Sequence, residues 1–189
     1  MSKKQDILNA SLFLFTEQGA RATSTKSIAK QAGVSEALIF KYFGTKDHLL
    51  EELIKKDYLD AIDFTRKFLA ANSAEEFLIK FIDLPIALID HQFDFWRMIY
   101  KILPLNPIAQ QYHQNYMKPS LNKLKSSFEA LNYKYPELEA ETLLLLTDNV
   151  WKSYVSDRLT KERYQEIATL LKKKYALIAM LLIVTSIVS

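Results

Sequence analysis

Ile7, Ala10, Ser11, Leu14 and Phe15 recur at three- and four-residue spacing, which predicts an amphipathic helix from about Lys3 to Gln18. Gly19 follows where a helix end favours a left-handed residue. Thr23-Ser24-Thr25 supplies hydroxyls for an N-cap, assigned here to Thr25, in front of a short helix Lys26–Gln31 whose inner face is Ile28, Ala29 and Ala32. Gly33-Val34-Ser35 then offers a glycine for a sharp turn, a valine to plug its corner and a serine to cap a third helix, Glu36–Phe43. Gly44-Thr45-Lys46 ends that helix and opens a long fourth one near Asp47. A short helix, a three-residue glycine turn and a second short helix make a helix-turn-helix. Two helices this short cannot stand alone, so the first helix must pack across both.

Beyond residue 50 the same spacing continues. The fourth helix runs through Leu49, Leu50, Leu53 and Ile54 to about Ala71. A fifth segment, Ala74–Asp90, should kink at Pro85. An aromatic helix, Phe93–Ile102, precedes a linker at residues 103–107. Helices then follow at Ile108–Met117, at Pro119–Leu131, from Pro136 to about Arg158, and from Lys161 onward. Glycine supports this all-α reading. Gly19, Gly33 and Gly44 are the chain's three glycines, so 145 residues follow without one, and tight hairpins need positive φ.

Composition adds exclusions. Absence of cysteine removes disulfides, thiolate nucleophiles and cysteine-ligated metals. The polar N-terminus runs into an amphipathic segment rather than an apolar signal core, so a cytoplasmic location is expected. Charge changes the picture more. Seven basic and four acidic residues up to Asp47 carry the whole net charge of +3, leaving the remainder neutral. That excess lies where attraction to a polyanion would be useful.

With the register in place, the first quarter resembles a known family. Ile7-Leu8-x-Ala10-x-x-x-Leu14-Phe15-x-x-x-Gly19, Ala22-Thr23-Ser24-Thr25-x-x-Ile28-Ala29-x-x-Ala32-Gly33-Val34-Ser35 and Phe40-x-Tyr42-Phe43-x-x-Lys46-x-x-Leu49 are similar to the signature of the TetR (tetracycline-repressor) family. The resemblance runs from Ile7 to Leu53 and departs at Ala20, Phe40 and Ala37-Leu38, where that family favours an aromatic, a tyrosine and a smaller pair. It implies two domains, a DNA-binding head at residues 1–47 and a helical effector-binding and dimerisation domain at 48–189. It also implies a ligand-responsive regulator, read here as a repressor, that binds a palindromic operator as a homodimer.

Chemistry assigns roles within the head. Lys46 and Tyr42 present a cation and a phenol suited to phosphate, and Thr25 offers a backbone N–H at a helix N-terminus. Ser35, Glu36, Ala37 and Lys41 lie on the outer side of the third helix, with Lys41 the best reader of guanine and Ala37 suited to a thymine methyl. Lys26 and Phe40 complete the DNA-facing set.

For the larger domain, the pocket candidates are aromatics with a polar handle: His91, Trp96, Tyr100, Tyr112, His113, Tyr116 and Trp151. They suggest a lipophilic or aromatic effector. The resemblance implies a four-helix bundle across a two-fold axis, and the apolar run at 143–146 fits it, giving Leu143, Leu146, Val150, Tyr154, Ile167, Leu171 and Ile178 as interface candidates. The uncharged run Tyr175–Ser189 has 15 residues, short of the roughly 20 that span a bilayer, so a buried last helix is expected rather than a membrane contact. His91 and His113 lack an accompanying carboxylate pattern, and neither a metal nor a cofactor is expected. Without a phosphate loop, paired catalytic carboxylates or a Ser/His arrangement, the chain does not read as an enzyme. The alternative left open is a dimeric DNA-binding protein with no effector.

Overall fold

The structure is a computed structural model. It describes residues 2–188 of the backbone and side chains as far as Tyr175. Eight helices and no strand are found among the described residues: α1 (Lys3–Gln18), α2 (Thr25–Ala32), α3 (Glu36–Phe43), α4 (Lys46–Phe68), α5 (Ala74–Ile102), α6 (Pro107–Ala130), α7 (Pro136–Val155) and α8 (Lys161–Val188). None of the described helices is long and apolar enough to cross a membrane.

The first three helices fall where the spacing places them, because their limits are set by local capping. Ser2 Oγ accepts from Gln5 N, and Gly19 closes α1 by donating its N–H to Phe15 O. Gly33 has left-handed φ 64° and ψ 38° and closes α2. Ser35 Oγ accepts from Leu38 N at the start of α3. One cap differs from expectation. Ser24, not Thr25, accepts the N–H of Ser27, which makes Thr25 the first residue of α2.

The expected division between Ala74–Asp90 and Phe93–Ile102 is present as a kink within α5, with non-helical backbone at Gln92 (φ −143°, ψ 48°). Two expectations at prolines differ: the non-helical backbone of α5 is not at Pro85, and Pro119 lies inside the single helix α6 instead of separating two helices. A proline removes one backbone donor and need not stop a helix whose side chains are held by tertiary packing.

The chain forms two compact units, Met1–Ala61 with Gln92–Gln114, and Ile62–His91 with Asn115–Ser189. The first has a core of Ile7, Leu14 and Phe15 from α1, Ile28 from α2, Ile39 and Phe43 from α3, and Leu49, Leu53 and Ile54 from α4. The C-terminal end of α5 belongs to it. Thr16 Oγ1 donates to Asp94 O at 3.1 Å, and Arg97 pairs with Glu17 at 2.9 Å. The second unit buries Phe77, Phe81 and Leu88 of α5, Leu124 and Phe128 of α6, Leu143 and Trp151 of α7, and Tyr164 and Ala168 of α8. Lys172 pairs with Asp83 at 2.6 Å, and the Tyr164 hydroxyl donates to Ile82 O. The division of the sequence after Asp47 is one of proposed role, whereas these units are divisions of packing.

Candidate nucleic-acid interface

The α3 sequence EALIFKYF sorts its residues by helical angle. Ile39 and Phe43, one turn apart, are buried, while Ala37, Phe40 and Lys41 are exposed on the opposite side. Phe40 is 48% exposed and Tyr42 44%, high values for aromatic rings. Tyr42 lies edge-on to Phe43 with ring centroids 6.1 Å apart, so the buried ring holds the exposed one. Lys4 Nζ lies 5.5 Å from the Phe43 ring and pairs with Glu52 at 3.1 Å, tying α1 to α3 and α4. The result is a short helix whose outer face carries a methyl, an aromatic ring and an ammonium, small enough to enter a major groove.

The remaining candidates divide into free and engaged groups. Lys26 and Ser35 are exposed, and the Ser35 hydroxyl already caps α3. Thr25 and Glu36 are half-buried and bonded to each other, Thr25 Oγ1 donating to Glu36 Oε1. That bond joins α2 to α3 across the turn. Lys46 is the larger surprise. Its ammonium donates to Ala20 O at 2.8 Å and Thr23 O at 2.9 Å, gathering the loop between α1 and α2. Thr23 Oγ1 strengthens the same loop by donating to Gly19 O at 2.9 Å. Sequence reasoning missed this clamp because the acceptors are carbonyls, which every residue possesses, and lie more than twenty positions away.

Comparison with known proteins addresses this head directly. Residues 7–53 match the family of bacterial regulatory proteins, tetR family. Curated relatives align with only part of this chain. The HTH-type transcriptional regulator YvkB of Bacillus subtilis is 48% identical over 50 residues, 26% of this chain and 26% of that protein. The HTH-type transcriptional repressor KstR2 of Mycolicibacterium smegmatis is 29% identical over 59 residues, 31% of this chain and 28% of that one. The chain therefore spans about a quarter of the length of the curated relatives it matches. Likeness of fold extends further. The solved structure of a transcriptional regulator FadR from Bacillus subtilis in complex with stearoyl-CoA covers 89% of this chain and 95% of its own, with a TM-score of 0.68 at 20% identity. At that identity the likeness is one of architecture: a helix-turn-helix followed by a larger helical region.

The seven pocket candidates, all beyond residue 53, are distributed over both compact units. Trp96, Tyr100, Tyr112 and His113 belong to the first unit and pack around Tyr58. Tyr58 lies 5.7 Å from Trp96 and 6.0 Å from Tyr112 between ring centroids, and its hydroxyl is 3.0 Å from His113 Nδ1. Tyr100 and His113 are 5.8 Å apart. These are the separations of packed aromatic pairs. His91, Tyr116 and Trp151 belong to the second unit. His91 stacks on Phe64 at 4.6 Å, and Tyr116 meets Trp151 edge-on at 6.4 Å. Burial pushes the Tyr116 phenol well above its ordinary pKa although Thr65 bonds its oxygen at 2.7 Å.

A groove of about 570 Å³ lies elsewhere in the first unit, against the C-terminal end of α1, the start of α4 and the residues joining α5 to α6. None of the seven candidates lines it.

The interface candidates also separate. Leu143 is fully buried and Leu171 is 9% exposed, so both side chains are spent on packing within one chain. Leu146 is 39% exposed, and Val150, Tyr154 and Ile167 are half-buried. The side chain of Ile178 lies outside the described residues. Leu145, within the apolar run at 143–146, is 66% exposed, and Leu138 and Leu170, which were not among the candidates, are 61% and 67% exposed. Leu138 and Leu145, seven residues apart, lie on one face of α7.

Proposed function

We propose that this protein is a ligand-responsive transcriptional repressor that binds a palindromic operator as a homodimer. The observation that carries the reading is the outer face of α3, where Ala37, Phe40 and Lys41 project from a capped helix braced by α1. Lys41 reads a base edge and Ala37 meets a thymine methyl. Tyr42, Lys26 and the backbone N–H of Thr25 serve the phosphates, with Ser35 and Phe40 beside them. Lys46 is assigned a positioning role, since its ammonium is committed to the carbonyls that hold the loop before α2. Glu36 is assigned to bracing Thr25.

Dimerisation is assigned to α7 and α8, through Leu138, Leu145, Leu146, Val150, Tyr154, Ile167 and Leu170. Several large leucines left in water on neighbouring turns are costly unless a partner covers them. A two-fold axis then sets two copies of α3 about 34 Å apart, one helical turn of DNA. The effector is assigned as lipophilic, in keeping with a fold shared with a FadR solved in complex with stearoyl-CoA. The protein acts by binding rather than catalysis, in the cytoplasm where its operator would be.

The second reading is an effector-independent regulator, in which the aromatic cluster around Tyr58 serves only as core. Footprinting of the DNA upstream of the gene, with and without lipophilic ligands, separates the two. A footprint that ligand abolishes supports the first reading, and one that no ligand alters supports the second. No protection of that DNA overturns both.

A further inference from the structure

We infer that the groove beside the α1–α2 loop binds an amphiphile with an anionic head group, and that its occupant acts on the Lys46 clamp. This deepens the proposal of a ligand-responsive regulator and rests on it for the effect on DNA, though not for the binding itself. The volume of about 570 Å³ is that of an ordinary small-molecule site. Its walls are apolar: Phe15, Leu50, Ile54 and Ile102 line it, with Leu105 and Ile108 at its edge. Leu105 is 70% exposed, a cost in water that an alkyl chain would relieve.

The polar rim decides the head group. Arg21, Lys46 and Lys101 face it as cations, Asp47 and Glu51 as anions. Two of the cations are held in place. Lys46 is fixed by Ala20 O and Thr23 O, and Lys101 by Thr16 O. Neither ammonium has a carboxylate within ion-pair distance among the described residues, and each ammonium has three donors. Fixed cations with spare donors lose little entropy on meeting an anion. Asp47 already has a favourable partner in the N-terminus of α4, which Thr45 caps. An anionic head on Lys46 competes with the two carbonyls that the same ammonium holds, and these carbonyls belong to the loop that positions α2.

Isothermal titration of the full-length protein with dodecanoate, dodecanol and dodecyltrimethylammonium, each below its micellar range, tests this. Dodecanoate should bind about tenfold or more tightly than dodecanol, as expected for loss of a charge-assisted hydrogen bond, and the cation should not compete. Leu105→Asp, at an exposed site, and Lys101→Gln should each weaken dodecanoate binding by about tenfold or more while circular dichroism stays unchanged. Equal binding of all three probes, tighter binding of the cation, or wild-type affinity in both variants would overturn the site. DNA binding is read separately by fluorescence anisotropy on the upstream region. Dodecanoate bound in the groove without release of DNA would leave the site standing and remove its regulatory role.

Discussion

Lys46 donates to the carbonyl of Thr23 at 2.9 Å, so a residue that begins α4 fixes the loop that leads into α2. The bond gives this lysine a purpose that its place near the DNA-facing surface does not reveal. It also links the long helix leading out of the head to the orientation of the two short ones. Lys46→Ala should therefore act first on stability, by about 1–3 kcal/mol for hydrogen bonds from a charged donor. It should weaken binding to cognate and random DNA alike, because both need the loop in place. The slope of log affinity against log salt should stay unchanged. A slope flatter by about one unit would show that the ammonium neutralises a phosphate after all.

Lys41 should behave in the opposite way. It stands exposed on the outer face of α3, opposite buried Ile39 and Phe43. Lys41→Ala should cost about 1–3 kcal/mol at the cognate operator and relax the preference at one base pair. Competition binding against operators varied at each position reads this directly. Equal losses on specific and random DNA would reduce Lys41 to a phosphate contact.

Ser35 combines two roles that substitution can separate. Its hydroxyl accepts the Leu38 N–H and starts α3. Ser35→Ala should lose about 1 kcal/mol of stability with the cap, which lowers the melting temperature by about 2–4 °C in a chain of this size. Ser35→Asp should keep the cap, since aspartate is an equally good N-cap, yet place a negative charge beside the phosphate backbone. Melting near wild type with DNA affinity lost is the expected pair of results. A melting loss as large as that of alanine would count against the cap.

What the sequence made legible was local. Caps, the Gly33 turn and the two faces of α3 depend on residues three or four positions apart, so their pattern can be read along the chain. Thr25 shows where this ends. Three consecutive hydroxyls can each cap a helix, and Ser24 takes the cap while Thr25 bonds Glu36, a partner eleven residues on. The aromatics show a second limit. Composition offers Trp96 and Tyr100 as pocket residues, yet whether a ring lines a space or fills one depends on neighbours such as Tyr58 and His113 from distant helices. The groove was illegible for the same reason, its walls being drawn from α1, α4 and the α5–α6 link.

Exposed leucines make the proposed dimer testable without DNA. Leu145→Glu combined with Leu170→Glu places carboxylates at sites that are 66% and 67% exposed within one chain. The folded protomer should tolerate both, since surface substitutions seldom cost more than about 0.5 kcal/mol. Light scattering after size exclusion should then report half the wild-type mass, with helical circular dichroism retained. A mass unchanged by the pair would move the interface off this face.

Asp57 gives the protein a predictable response to pH. It is 4% exposed, and Oδ2 has no hydrogen-bond partner among the described residues, while Oδ1 meets Lys56 at 3.0 Å. Burial raises the carboxyl above its ordinary pKa, with the Lys56 ammonium opposing that shift incompletely. A carboxyl raised on folding binds its proton more tightly in the native state. The stability it contributes is present below the unfolded value and lost as pH climbs through the folded one. Carboxylates held low by exposed partners, such as Asp63 beside Lys67 and Arg66, act in the reverse sense. The difference between wild type and Asp57→Asn isolates the buried group. Asparagine removes the buried charge and supplies donors where Oδ2 has none. Across melts from about pH 4 to pH 8, the variant should gain on wild type as pH rises through and above the ordinary carboxylate range. A gain that shrinks with rising pH would mean that Lys56 more than offsets the cost of burying Asp57.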